Sequence, residues 1–452
     1  MSQLGEAVAR YHKILESDPY KDLSWAHGLQ DRMKAQNLAV GGRPVSPTLR
    51  PNFVSRRQYT NLVKAAECLF AAINRVENMA IASPALLSRM ELLPAEKMLA
   101  SVDPGYPFFS VTSLLDTHLQ NGTVRFARYN PDTPSGVAYG DALSDLFYDA
   151  PPVKEFRKKY SLTKLPGMKH LLHAVLKAFK EWGGKTKKPA IAILEFRAPF
   201  QTGESGENVL IREYFRREGH ECQIVSPDML EYRNNVLRSG DFTIDLIYRR
   251  IKVQEFLVRY DLMHPLLRAY REGRVCIVNN FRSEVAQKKA IFDLLTDENI
   301  TASFPAAEKR VIREFVPWTR MVQTAKTTFQ EEEIDLPDFI LKNRETLVLR
   351  PNDDSGEFQS FRGSETDDAG WEKALKTAIR NPYVVQEVVE PVHDTFPLLM
   401  YGHLEMRKMR VDVYPHSYLG KVHGCSSWLS AAGTTGFSSL SGVAPTYILD
   451  PK

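Results

Sequence analysis

The sequence predicts an α+β protein that contains an α/β unit and begins with a helical region, and three observations carry that prediction. In the first hundred residues, "YTNLVKAAECLFAAINRVENMA" sets apolar residues at three- and four-residue steps, the spacing of one helix face. Between 189 and 300, continuous apolar runs such as "PAIAILEF" and "RVCIVNN" alternate with helical stretches, as parallel strands do when crossover helices join them. Near the C-terminus, "MRKMRVDVYPHSYLGKVHGCSSWLS" reads as antiparallel strands.

Taken in order, residues 1–100 form the helical region, with "SPALLSRMELLPAEKMLAS" starting on a Ser-Pro signal. Residues 101–150 change texture: "SVTSLLDTHL" and "TVRFARYN" predict two strands joined at "QNG", followed by a Pro/Gly loop. Residues 151–188 are basic and helical and end in a Gly-Gly-Lys linker, which reads as a solvated helix face. The 189–300 unit continues with "NVLIREYFRREGHE" as helix, "CQIVSP" and "TIDLIYRR" as strands, and a helix over 253–272. Its right-handed, Rossmann-like winding places ligands at the strand C-termini. Residues 301–452 read as mixed sheet, with "TLVLRP" and "YVVQEVVEP" as strands and "AGWEKALKTAIRN" as a helix between them.

Composition excludes several classes. Across 452 residues, 43% hydrophobic and 25% charged is a globular balance, and the length supports about two to four units. A net charge of +4 gives no case for a nucleic-acid partner. Cys68, Cys222, Cys276 and Cys425 lie far apart and form no zinc or disulfide pattern, which suits reduced thiols in a cytoplasm. No stretch approaches the roughly 18 apolar residues that span a bilayer, so neither membrane insertion nor export is expected.

The segment "ETLVLRPNDDSGEFQSFRGSE", residues 345–365, runs from a strand into a small-residue turn, the arrangement that cradles a phosphate. Together with "RFARYNPDTPSG", "IDLIYRRI", "VNNFRSEVAQKKAIFDLLTDE", "VPWTR" and "YVVQEVVE", in that order, it resembles the circularly permuted ATP-grasp proteins related to glutathionylspermidine synthase, over roughly 100–450. The resemblance implies a two-lobed nucleotide cleft. Residues 101–150 would be a permuted segment with a metal-site-like loop, 189–300 a Rossmann-like preATP-grasp or substrate domain, and 301–452 the nucleotide-binding lobes. ATP and Mg2+ would be required, and a small-molecule or peptide carboxylate would be joined to an amine through an acyl phosphate.

Carried over residue by residue, the resemblance makes Asp116 and Asn130 metal ligands, but puts Arg128 where the family has a glutamate. A guanidinium cannot ligate a cation; Asp132 is the candidate replacement. Arg350 stands at the phosphate-contacting lysine, and Asp353, Asp354, Ser355 and Gly356 begin the loop, which then lacks its usual glycines. Arg362 and Gly363 follow it. Gln386 and Glu387 keep the hinge that meets adenine and ribose, Lys326 is a second candidate phosphate cation, and Trp428 replaces an arginine. Arg128 and Arg350 are the candidate catalytic cations. Glu204, Asp245, Arg249, Arg250, Asn279 and Lys288 are candidate substrate contacts, with structural ion pairs the equal alternative for Arg249 and Arg250. Two functions stay open: an ATP-dependent carboxylate–amine ligase, or a catalytically impaired ATP-grasp-like module that binds a ligand or a protein partner.

Overall fold

The computed structural model describes residues 3–120, 123–196, 206–353, 359–431, 434 and 436–451. Three sheets organise them. The largest has eight strands, six running in the order Asn52–Ser55, Ser441–Pro451, Lys421–Ser430, His403–Tyr418, Thr112–Gln120, Thr123–Asn130. His393–Met400 pairs with His403–Tyr418, and Tyr160–Thr163 with Ser441–Pro451. All pairings are antiparallel except that of Asn52–Ser55 with Ser441–Pro451. The hairpin expected around "QNG" therefore joins the C-terminal antiparallel strands in one sheet.

The helix Arg56–Ala82 covers one face of this sheet. It begins with a reciprocal cap: the Ser55 hydroxyl accepts from Gln58 N at 3.2 Å and Gln58 Oε1 accepts from Ser55 N at 2.9 Å. Its buried stripe of Leu62, Leu69, Phe70, Ile73 and Val76 packs on Leu115, Phe126, Val411 and Val413. Each such side chain stabilises the fold by about 1.5–3 kcal/mol relative to leaving it in water.

The α/β unit holds a parallel sheet in the order Cys276–Val278, Leu246–Arg249, Ile191–Leu194, Cys222–Val225. Its three strands Cys276–Val278, Leu246–Arg249 and Ile191–Leu194 are buried on both faces, which is why they read as apolar runs, while the edge strand Cys222–Val225 is half-buried at Gln223 and Ile224. The basic 151–188 segment packs against the rest of the fold. It contains the strand Tyr160–Thr163, and Met168–Glu181 is an amphipathic helix whose Leu171, Leu172, Val175 and Phe179 cover this parallel sheet. Its lysines Lys169, Lys177 and Lys180 are exposed, as a solvated charge face should be. The helix expected over 253–272 is two, Val253–Arg259 and Pro265–Arg271, because Pro265 has no N–H to continue the first and restricts His264. A three-stranded antiparallel sheet, Leu230–Arg233, Val236–Ser239 and Phe242–Thr243, is inserted before Leu246–Arg249.

The third sheet is small: Thr319–Met321, Tyr383–Glu387, Leu347–Pro351 and Phe361–Arg362, all antiparallel. Leu347, Leu349 and Val385 pack on Trp371 and Leu375 of the helix Asp368–Arg380 and on Leu336 and Ile340 of Leu336–Lys342. Asp367 caps the longer helix through Gly370 N at 2.8 Å.

One buried group of the large sheet makes the fold acid-sensitive. His416 is 4% exposed, its Nε2 lies 2.9 Å from Ser426 Oγ, and burial, aided by Arg250, holds its imidazole down at about 4. An unfolded histidine takes its proton near 6.5. Between those values the unfolded chain binds more protons, so this contribution is complete above about pH 6.5 and is lost as pH falls toward 4. The full difference corresponds to about 3 kcal/mol. Urea titrations at pH 7 and 4.5 are expected to show wild type losing about 2 kcal/mol more than His416→Gln over that interval; equal losses would contradict the assignment.

Candidate functional site

The exposed face of the large sheet meets the small sheet along a cleft. Strand alternation puts Asp116 and His118 of Thr112–Gln120 on this face, while Leu115 joins the core on the other. Arg128 lies opposite Asp116 in register, and its Nε donates to Asp116 Oδ2 at 3.0 Å. From the neighbouring strand come Arg410, Asp412 and Tyr414. Asp412 Oδ1 is 2.9 Å from His118 Nε2, and Arg410 Nε lies 2.9 Å from Asp412 Oδ2. The other nitrogen of His118, Nδ1, is 2.9 Å from Glu390 O. Burial first, and then the neighbouring Asp412 charge, hold the Asp116 carboxyl above its ordinary value although Arg128 and Arg350 pull it down.

The small sheet contributes Arg350. Its Nη1 donates to Gln386 Oε1 at 3.0 Å and to Ala127 O at 3.3 Å, so this one side chain ties the small sheet to the hairpin of the large one. Gln386 is held in turn, its Nε2 donating to Thr319 Oγ1 at 3.0 Å. Glu387 Oε2 accepts from Trp318 N at 3.0 Å. Two cavities flank this hinge and share Arg125 and Glu387. One, of about 750 Å³, has Trp318, Phe329 and Ile312 among its walls; the other, of about 540 Å³, runs past His118, Thr346 and Glu390. Arg128, Arg350, Asp116, Gln386 and Glu387 are thus the sequence-predicted residues that the fold brings to the seam. Asp354, Ser355, Gly356 and Glu204 lie outside the described residues.

The remaining candidates are engaged elsewhere. Asn130 closes a turn, its Oδ1 accepting from Thr133 N at 3.1 Å. Asp132 is buried against Arg249, Oδ1 to Nη2 at 2.5 Å. Arg249 is 1% exposed and gives its other donors to Ile251 O at 2.6 Å, Asn279 O at 3.1 Å and Ser283 Oγ at 3.0 Å. Asn279 uses both ends of its amide, accepting from Val111 N and Thr112 N and donating to Thr112 O and Pro131 O. These contacts weld the 131–134 loop to the parallel sheet, a structural role in place of the substrate contact expected for Arg249 and Asn279.

Arg250 pairs with Glu207 at 2.9 Å and donates to Pro134 O, and Glu207 Oε1 accepts from Gly136 N at 2.6 Å. Gly136 has φ 98°, a conformation that favours a residue without Cβ, just before the helix Val137–Tyr148. Asp245 sits at the amino end of its strand, accepting from Ala190 N at 2.8 Å, at the opposite end from where sheet ligands gather. Lys288 is fully buried among Glu96, Glu284 and Asp353, at 2.8, 3.1 and 2.8 Å, and so anchors the start of the 353–358 segment instead of facing a substrate. Burial pushes the Glu284 carboxyl well up, and the three acids hold the Lys288 ammonium. Lys326 is exposed on the Lys326–Phe329 hairpin strand and pairs with Glu333 at 2.7 Å. Arg362 pairs with Glu390 at 2.7 Å, and Trp428 packs on Phe437.

The donors do not make the magnesium site that a pair of cleft carboxylates would. Among the described residues Asp116 keeps one oxygen, Oδ1, without a hydrogen-bond partner, but a guanidinium, not a second acid, lies 3.0 Å from the other oxygen. Among the described residues no group of three or more His, Cys, Asp or Glu is placed to hold a metal ion.

No family model matches the chain, and no curated protein matches it. Solved structures do. A glutathione synthetase-like effector from Globodera pallida, in its apo form, matches with a TM-score of 0.60 at 14% identity, over 96% of this chain and 98% of that one. A candidate gamma-glutamylcysteine synthetase from Methylobacillus flagellatus gives a TM-score of 0.42 at 10% identity, over 86% and 87% of the two chains. The first likeness establishes the class: a mixed α/β fold similar to glutathione synthetase-like structures. Among the described residues, no helix is long and apolar enough to cross a membrane.

Proposed function

We propose that the protein is an ATP-grasp-type, ATP-dependent ligase that joins the carboxylate of a small molecule or peptide to an amine. The observation that carries the reading is Arg350, a cation at the end of a strand that leads into the 353–358 segment and at the seam between two sheets. A guanidinium there suits phosphate oxygens, which it binds as a planar fork. Trp318 and Phe329 offer an apolar wall for a base, Glu387 on the same cavity would meet the base or ribose, and Gln386 holds Arg350 and Thr319 behind it.

In the reaction, a carboxylate oxygen of the substrate attacks the γ-phosphorus and the bond to the β-phosphate oxygen breaks, releasing ADP. The amine then attacks the acyl carbon, losing a proton as inorganic phosphate departs. Arg350 and Arg128 would bind and neutralise the phosphate oxygens through these steps. The four free cysteines support a reducing compartment such as the cytoplasm.

A calorimetric titration with a non-hydrolysable ATP analogue tests the site. Arg350→Ala is expected to weaken binding at least tenfold, about 1.4 kcal/mol or more, as loss of a charged hydrogen bond does; an unchanged affinity would contradict the assignment. The ion pair of Arg128 with Asp116 favours a second reading, a non-catalytic module that binds nucleotide or a protein partner. Nucleotide binding without ADP release across a panel of amino acids, small peptides and amines would select it.

A further inference from the structure

We propose that a cavity of about 380 Å³ on the helix-covered face of the large sheet is a binding site for a small organic ammonium ion, with Glu77 as its counter-ion. The site is separate from the cleft. Tyr129 lines it, whereas Arg128, the preceding residue, faces the cleft, and adjacent strand residues point to opposite faces. No residue lines both this cavity and either of the two at the hinge.

Glu77 is the observation that points to a ligand. It is only 2% exposed, it lines the cavity, and its Oε1 has no hydrogen-bond partner among the described residues. Leaving such an oxygen unpaired costs about 1–3 kcal/mol, more when the group is charged. Ser110, on the facing loop, also lines the cavity and hydrogen-bonds Tyr129. Burial pushes the Glu77 carboxyl well up, and no basic residue among those described offsets it. The groups that face the cavity are Glu67 and Glu77 from the helix, Tyr129 from the sheet and Lys421 at the start of the strand Lys421–Ser430. Lys421 is spoken for by Glu67 at 2.9 Å, at the rim.

A cation lets this buried carboxyl ionise, which neither an anion nor a neutral guest does. A primary ammonium supplies both charge and donors, and Phe70, Phe108 and Tyr129 in the walls suit a cation against aromatic faces. The volume fits a guest at the lower end of small-molecule size.

Calorimetry of the full chain with ethylammonium chloride, repeated in buffers of different ionisation enthalpy, tests this. Saturable binding is expected with release of up to one proton as Glu77 ionises, and n-propanol should bind at least tenfold more weakly. Glu77→Gln should bind ethylammonium at least tenfold more weakly and release no proton. Asn74→Phe, at an exposed position on the rim, should also weaken binding by obstructing the mouth, and it decides the matter should Glu77→Gln fail to fold. No saturable binding to wild type, equal binding of n-propanol, or full affinity in a folded Glu77→Gln or Asn74→Phe protein would overturn the proposal.

Discussion

Replacing Asp132 with alanine is expected to destabilise the protein by about 3–5 kcal/mol, a large part of the stability of an ordinary domain. The reason is the partner left behind. Arg249 is buried among backbone carbonyls, a hydroxyl and a carboxylate, and among the described residues Asp132, itself 1% exposed, is the one carboxylate paired with it. Without that charge the guanidinium stays desolvated and uncompensated, because its backbone and hydroxyl acceptors satisfy its donors but not its charge. The loss is expected as a lower urea midpoint with no change in slope. Arg249→Met combined with Asp132→Ala should be more stable than Asp132→Ala alone, since no unpaired charge remains. A loss below about 1 kcal/mol for the single variant would mean that the pair is not the weld between the 131–134 loop and the parallel sheet.

Changing Arg128 to glutamate is expected to convert nucleotide binding from metal-indifferent to metal-dependent. In the wild type the Arg128 guanidinium already neutralises Asp116 and repels a divalent cation from the same place. With glutamate, two carboxylates would face each other across the hairpin, near Asp412. Each would disfavour the other's charge, and a bound cation would relieve that repulsion while adding ligands for phosphate oxygens. Without magnesium the variant should bind nucleotide more weakly than wild type, because a cation at the proposed phosphate site has become an anion.

Much of the architecture was legible in the sequence because its strongest signals are local. The apolar runs at 191–194 and 276–278 and the amphipathic stretch 56–82 each meet a single environment, fully buried or one-sided, and they read accordingly. Elements of two to four residues did not. Asn52–Ser55 is a strand only because Ser441–Pro451, nearly four hundred residues on, pairs with it. The Leu230–Ser239 hairpin did carry a usable sign, Asn234-Asn235, whose positive φ values of 52° and 62° are those of a tight two-residue turn.

The cleft was half legible. Arg350, Gln386 and Arg128 were found through motif order, whereas Arg410, Asp412 and Tyr414 were missed although "RVDVY" places polar groups at every second residue of a strand. His118 could not be foreseen as a partner of Asp412, because the contact joins strands separated by almost three hundred residues. Charged residues near strand ends misled for a definite reason. Position at a strand end, or in the loop and helix beyond it, does not distinguish a side chain facing a ligand from one that, like Arg249 or Lys288, is consumed by buried acids.

The most direct measurement is calorimetric titration of wild type and Arg128→Glu with a non-hydrolysable ATP analogue, each with millimolar magnesium and with chelator. If the nucleotide lies on guanidinium groups in this cleft, wild-type affinity will change less than about threefold with magnesium and that of Arg128→Glu will rise at least about tenfold. Wild-type binding that appears only with magnesium, or that is absent in both conditions, would contradict that account of the cleft.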